Sequence, residues 1–300
     1  GNASGNIDYY RHVYNGKHDV YRGTVGQPLT EHHATGTYSS DMFADEAIDF
    51  ITRNQSQTPW FCYLPFNAPH SPNRKNKQPG QANEWQAPPS AFARYGMSEK
   101  EADPQRRYLA TVTALDDAIG RVLNCLDELH ATENTFIFCF SDNGAFRLNR
   151  AGIDMGSNEP LRSGGVTCWE GGLRVAALAS FPRVIPAGSV VDQPLWSPDL
   201  MITYAKLTGA QLPGTRLDGK DALPVLSGQS PSQHKSFYFE FRKHAALRLG
   251  DWKIVRTRPD EPWQLFDLKN DAVEAKNQST AKPAKLAELV DEFDRWRAEF

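Results

Sequence analysis

Three hundred residues with 40% apolar content suffice to bury about three quarters of the unfolded surface, which predicts one large domain with a small appendage. A formal charge of −3 and the lack of any basic run exclude a wide polyanion-binding face, so neither nucleic acid nor an anionic membrane surface is an expected partner. No apolar stretch approaches the roughly 18 residues of a membrane span.

After a polar opening rich in Tyr and His, Tyr38 to Arg53 places Met42, Phe43, Ala47, Ile48 and Ile51 at helical spacing. An apolar strand, Trp60 to Phe66, follows and stops at Asn67-Ala68-Pro69-His70-Ser71-Pro72. Ser71 to Pro89 is loop chemistry, dominated by Pro, Asn, Gln and Lys. Tyr108, Val112, Leu115, Ile119, Val122, Leu126 and Leu129 then form a stripe expected to pack on a sheet. A second apolar strand, Thr135 to Phe140, ends at Ser141-Asp142-Asn143-Gly144. Near-continuous apolar strands between helices predict an α/β fold with a mostly parallel sheet covered on both faces.

Periodicity disappears from Phe146 to Gly172, where Gly and Ser accumulate, and a loop of that length is functional or disordered. Arg174 to Phe181 restores a strand, Ser197 to Gly209 predicts a helix, and Gln211 to Gln233 has linker composition. Ser236–Phe241, Ala245–Leu249, Trp252–Arg256 and Gln264–Leu268 then predict a small antiparallel meander, closed by an amphipathic helix over Lys282–Phe300. The expected division is 1–232 for the larger domain and 233–300 for the smaller. The four cysteines show no CxxC spacing, and those inside apolar strands, Cys62 and Cys139, are expected to be buried thiols. The start at Gly1 without a methionine or signal-like segment suggests a processed or partial product. Asn54-Gln55-Ser56 and Asn277-Gln278-Ser279 match a glycosylation pattern that polar loops also produce by chance.

Ligands of open α/β sheets bind beyond the carboxyl ends of the strands. His70 and the Asp142/Asn143 pair, at two such ends, are therefore expected to face one crevice. A carboxylate beside an amide oxygen suits a hard divalent cation, although Asp-Asn-Gly is also a common turn. An imidazole with an ordinary pKa near 6.5 can donate a proton to a leaving oxygen near neutral pH.

Several ordered motifs resemble the formylglycine-dependent sulfatases of the alkaline phosphatase superfamily. They are Asn6-Ile7-Asp8-Tyr9-Tyr10, Asn67-Ala68-Pro69-His70, Leu115-Asp116-Asp117-Ala118-Ile119-Gly120, Ser141-Asp142-Asn143-Gly144, Pro160-Leu161-Arg162, Trp169-Glu170-Gly171-Gly172-Leu173-Arg174-Val175, Trp252-Lys253 and Leu265-Phe266-Asp267-Leu268. The resemblance implies an alkaline phosphatase-like α/β fold with a small C-terminal antiparallel sheet plus helix. It implies Ca²⁺, with Mg²⁺ as an alternative, on Asp142 and Asn143, and His70 as a catalytic residue that contacts the sulfate and protonates the leaving alcohol. It implies a sulfate-ester substrate such as a sulfated glycan or an aryl sulfate, and suggests a periplasmic or secreted setting.

The Cys/Ser-x-Pro-x-Arg motif that family members convert to formylglycine is absent from these residues. The nucleophile is expected in an upstream segment, and this chain alone is expected to be inactive. Gly165 stands where many members carry a sulfate-gripping lysine. Arg162 is the nearby cation for that substrate-binding role, and its ordinary reading is a structural loop arginine. The competing readings are a phosphodiesterase or phosphonate hydrolase of the same superfamily, and a non-catalytic relative that binds sulfated glycans.

Overall fold

A computed structural model describes residues 1–2, 4–55, 59–72, 85–147 and 154–300. The chain divides into two compact units, residues 1–133 with 150–155, and residues 134–149 with 156–300.

The first unit opens with short antiparallel pairs, β1 (Val13–Tyr14) with β2 (Lys17–His18) and β3 (Tyr21–Arg22) with β4 (Thr30–Glu31). Its frame is helical: α1 (Ser39–Asn54), α2 (Pro89–Ala93) and α3 (Pro104–Glu128). Asp103 caps α3 by accepting from the Gln105 amide, with Pro104 at the first helical position. The expected amphipathic helix is present and Leu126 of the predicted stripe is buried, but most of its buried side runs along Ala110, Ala114, Ala118 and Cys125. Val112, in the predicted stripe, is 37% exposed, and Leu109 and Leu123 are also exposed. Ala110 and Ala114 pack beside Ala91 and Phe92 of α2, and further along α3 Cys125 Sγ meets Thr52 Oγ1 of α1 at 3.8 Å; small side chains on this side permit the close approach.

Trp60 to Phe66 forms no ladder among the described residues. It is extended, with period-two exposure: Leu64 and Phe66 pack beside Ile7, Val20, Met42 and Phe43, while Phe61 and Tyr63 are 57% and 74% exposed.

In the second unit β5 (Ile137–Phe140) pairs antiparallel with β6 (Ala177–Ser180). Every ladder among the described residues is antiparallel, so the expected parallel pairing is not formed within these residues. The expectation of buried thiols fails for Cys139, which is exposed, and Cys62 is half-buried. Among the described residues β5 and β6 pair only with each other: Phe138 and Ala179 pack beside Ile185, Ala222 and Leu226, while Leu178 is 76% exposed, whereas a continuous apolar run anticipates cover on both sides.

Between them α4 (Glu170–Leu173) is a single turn, and α5 (Pro198–Thr208) ends at Gly209 in the left-handed conformation, φ 70°. The supposed linker contains α6 (Leu223–Leu226), and Ala222 and Leu226 are buried with Ile185, so this segment is part of the packed unit.

The C-terminal meander forms as expected: β7 (Ser236–Phe241), β8 (His244–Leu249), β9 (Trp252–Arg256) and β10 (Gln264–Asp267), in the order β10-β9-β8-β7, with α7 (Pro283–Arg297). Strand alternation divides the sheet between two covers. Ala245, Leu247, Ile254 and Leu265 face Leu289 and Phe293 of α7, and Ala246, Val255 and Phe266 face Cys168 and Trp169. No helix among the described residues is long and apolar enough to cross a membrane.

Candidate functional site

His70 belongs to the first unit, and its surroundings fix its chemistry. Its backbone amide donates to Asn67 O at 2.8 Å, Tyr9 Oη donates to its carbonyl, and Asn67 Nδ2 donates to Ser4 O and Gly5 O at 3.2 and 3.1 Å. The ring Nδ1 lies 2.7 Å from Ser71 O. A carbonyl only accepts, so Nδ1 carries a proton and donates it to Ser71 O. The Tyr9 phenol is fully buried and its pKa is driven up by desolvation, which keeps it a donor.

Asp142 and Asn143 belong to the second unit. The last sheet bond runs from Ser141 N to Ala176 O at 3.3 Å, after which the chain turns out of the β5–β6 pair. Asp142 is exposed and Asn143 half-buried. Asp142 Oδ1 accepts from Asn143 N at 2.9 Å, and Ser141 Oγ donates to Asn143 O at 2.9 Å. Among the described residues Asp142 Oδ2 and the Asn143 amide group make no hydrogen bond, so one oxygen from each side chain is available to a ligand.

The Gly-rich loop encloses this strand end by backbone approach. Gly144 N donates to Gly172 O at 3.1 Å, and Gly165 N to Ala145 O at 3.0 Å. A methyl group on Gly144 would overlap the Gly171 carbonyl. One on Gly165 would overlap Gly144 O, and would stand 2.6 Å from Asn143 Oδ1 and 2.9 Å from Phe146 Cδ1. Position 165 thus has no room for a lysine, and glycine there keeps the Asn143 amide oxygen clear.

Arg162 is engaged in the same framework. Its guanidinium lies 3.7 Å from the Trp169 ring centroid, its Nη1 donates to Glu274 O at 2.9 Å, and its carbonyl accepts from Gly171 N. Behind it is a buried ion cluster. Lys253 lies on the face of β9 that Val255 turns toward Trp169, and its ammonium sits 2.8 Å from Glu170 Oε1 and 2.8 Å from Glu274 Oε1. Glu274 Oε2 accepts from Glu170 N at 2.7 Å. Burial raises the pKa of Glu274, against the lowering effect of the Lys253 charge. Sequence reasoning overlooked this cluster, whose one signal is a lysine between Trp252 and Ile254 in a strand. Glu274, at φ 55° in a turn, gives none.

A model of the Sulfatase family matches residues 2–210. The chain belongs to the sulfatase family. A second model, N-sulphoglucosamine sulphohydrolase, C-terminal, matches residues 167–297. N-acetylgalactosamine-6-sulfatase of Canis lupus familiaris is 33% identical over 229 residues, which cover 76% of this chain and 40% of that protein. Steryl-sulfatase of Mus musculus is 36% identical over 290 residues, 84% of this chain and 43% of that protein. The chain thus spans about two fifths of the curated relatives it matches. The crystal structure of Ps i-CgsB superposes with a TM-score of 0.74 at 29% identity, covering 90% of this chain and 58% of that one. A phosphonate monoester hydrolase from Silicibacter pomeroyi shares the fold at 22% identity and a TM-score of 0.59. The α/β architecture is therefore that of sulfatases and the alkaline phosphatase superfamily, with its small C-terminal sheet and helix. Sulfatases generally depend on a metal and on formylglycine.

Proposed function

We propose that this chain carries the cation-binding and proton-donating parts of a sulfuric ester hydrolase acting on sulfated carbohydrates or aryl sulfates. The observation that carries the reading is the Asp142–Asn143 strand end, held by interlocked glycines with a carboxylate oxygen and an amide oxygen uncommitted. Both are hard donors, which fits Ca²⁺ first and Mg²⁺ second. Ca²⁺ takes six to eight oxygens, and among the described residues no cluster of three or more His, Cys, Asp or Glu side chains forms a site alone. The remaining ligands and the formylglycine are assigned to an upstream segment. Bound there, the cation would supply positive charge to sulfuryl oxygens as negative charge builds on them. His70 gives its Nε2 proton to the alkoxide oxygen as the sulfur–oxygen bond breaks. In sum, the ester and water become the alcohol and hydrogen sulfate. Arg162 is assigned to the loop framework, where it anchors the glycine segment through Trp169 and Glu274.

The test compares two proteins on an aryl sulfate, reading free sulfate. The 300-residue chain alone is expected to show no turnover. The chain joined to its upstream coding sequence and coexpressed with a formylglycine-generating enzyme is expected to turn over. Hydrolysis by the chain alone would contradict this division of labour. A folded extended protein with an intact Cys/Ser-x-Pro-x-Arg motif and no turnover would favour a glycan-binding role.

A further inference from the structure

We propose that Asn158 is the positioning residue for the Asp142–Asn143 cation site, acting through the backbone of Ala145. The proposal rests on the reading of that pair as metal ligands. Beyond Ser141 the chain leaves the β5–β6 pair and is held by backbone bonds from Gly144 N to Gly172 O at 3.1 Å and from Gly165 N to Ala145 O at 3.0 Å, neither of which gives the Ala145 amide an acceptor. The Asn158 side chain completes this frame. Its Oδ1 accepts from Ala145 N at 2.8 Å and its Nδ2 donates to Ala145 O at 2.8 Å, so one primary amide satisfies both backbone groups of one residue as an adjacent strand would. The second Nδ2 hydrogen goes to Ser163 O at 2.9 Å, which joins the strand end to the loop that supplies Gly164 and Gly165.

This pattern uses both donors and one acceptor of an amide and is specific to asparagine at this reach. Aspartate keeps the acceptor but aims negative charge at two carbonyl oxygens. Alanine removes all three bonds and leaves Ala145 N and Ser163 O without this partner, while Ala145 O keeps the Gly165 amide, and glutamine is one methylene too long. The space is equally specific: a methyl group on Gly164 would lie 2.6 Å from Asn158 Nδ2, and one on Gly144 would lie 3.1 Å from Oδ1. The amide is thus seated between two glycines that admit it. Side chains that orient metal ligands from behind typically cost 10- to 100-fold in metal affinity when changed.

The test uses the extended protein, with Ca²⁺ alone as the probe, comparing wild type, Asn158→Asp, Asn158→Ala and Asp142→Ala by calorimetry and by melting with and without Ca²⁺. Both Asn158 variants are expected to bind Ca²⁺ about 10- to 100-fold more weakly, and the rise in Tm on adding Ca²⁺ is expected to shrink. The aspartate variant separates charge from geometry. A purely electrostatic site gains affinity from an added negative charge, whereas a mispositioned pair loses it. Asn158 variants whose Tm falls equally with and without Ca²⁺, and whose Kd is that of wild type, would overturn the proposal and leave the metal reading intact. Wild type that binds no Ca²⁺, or binds it no better than Asp142→Ala, would overturn the metal reading and this proposal together.

Discussion

In the extended, catalytically competent protein, His70→Ala is expected to lower kcat by about 10²- to 10⁴-fold, the usual range for removal of a general acid. The magnitude should depend on the leaving group. An alkoxide of high basicity needs a proton as the sulfur–oxygen bond breaks, while a nitrophenolate leaves without one. Substrates with poor leaving groups should therefore suffer most. The expectation follows from the local geometry: Ser71 O holds the proton on Nδ1 at 2.7 Å, and the Tyr9 phenol and the Asn67 carbonyl fix the backbone that carries the ring. Kinetics on a series of aryl and alkyl sulfates check it. An equal loss across the series would mean that His70 only orients the sulfate.

Lys253→Met is expected to cost about 3 to 5 kcal/mol of stability at pH 7, the usual penalty for removing one partner of a buried ion pair. The side chain is fully buried, and its loss leaves Glu170 and Glu274 facing each other without a cation. The penalty should fall with pH. Burial already raises the Glu274 pKa, and the Lys253 charge opposes that rise, so removing the ammonium pushes the carboxyl higher still. For a carboxyl whose folded pKa exceeds its unfolded value, the folded form binds the extra proton, so stability declines as pH climbs from the unfolded pKa through the folded one. The variant should thus approach wild type in acid. Urea unfolding at neutral and mildly acid pH measures this, and Lys253→Met combined with Glu170→Gln and Glu274→Gln should recover most of the loss. A loss below about 1 kcal/mol at pH 7 would put the cluster in the class of exposed ion pairs.

The two predictions differ in how far their residues could be anticipated. The C-terminal sheet and α7 were legible almost to the residue because each of those strands finds its partners inside the chain, so alternation, turn residues and pairing agree. The strands leading to the site were legible as strands but not in their surroundings. Phe61, Tyr63, Cys139 and Leu178 belong to apolar runs that anticipate a fully covered sheet, and they are exposed or half-exposed without it. Hydropathy found only part of the buried side of α3, Leu126 and the half-buried Leu115, because it weights large residues, whereas the contact with α2 takes in Ala110 and Ala114, which are small enough for close approach. Asp142 and Asn143 stood out by their position after a strand. Lys253 and Glu274 act through contacts with Glu170, distant in the chain, and Asn158 through contacts within one irregular loop, and such contacts leave no period. Gly165 was legible as a departure from a family lysine. The reason that no side chain fits there is the approach of Gly144 O and Asn143 Oδ1, which only coordinates reveal.

The central claim is that Asp142 and Asn143 hold the divalent cation on which sulfate ester hydrolysis depends. Calorimetric titration of Ca²⁺ into the extended protein, wild type against Asp142→Ala, tests it most directly. The account predicts one bound Ca²⁺ in wild type and a marked loss of affinity in the variant, with the 300-residue chain binding more weakly than the extended protein because two protein ligands are too few. Equal Ca²⁺ affinity in wild type and a folded Asp142→Ala variant would contradict it.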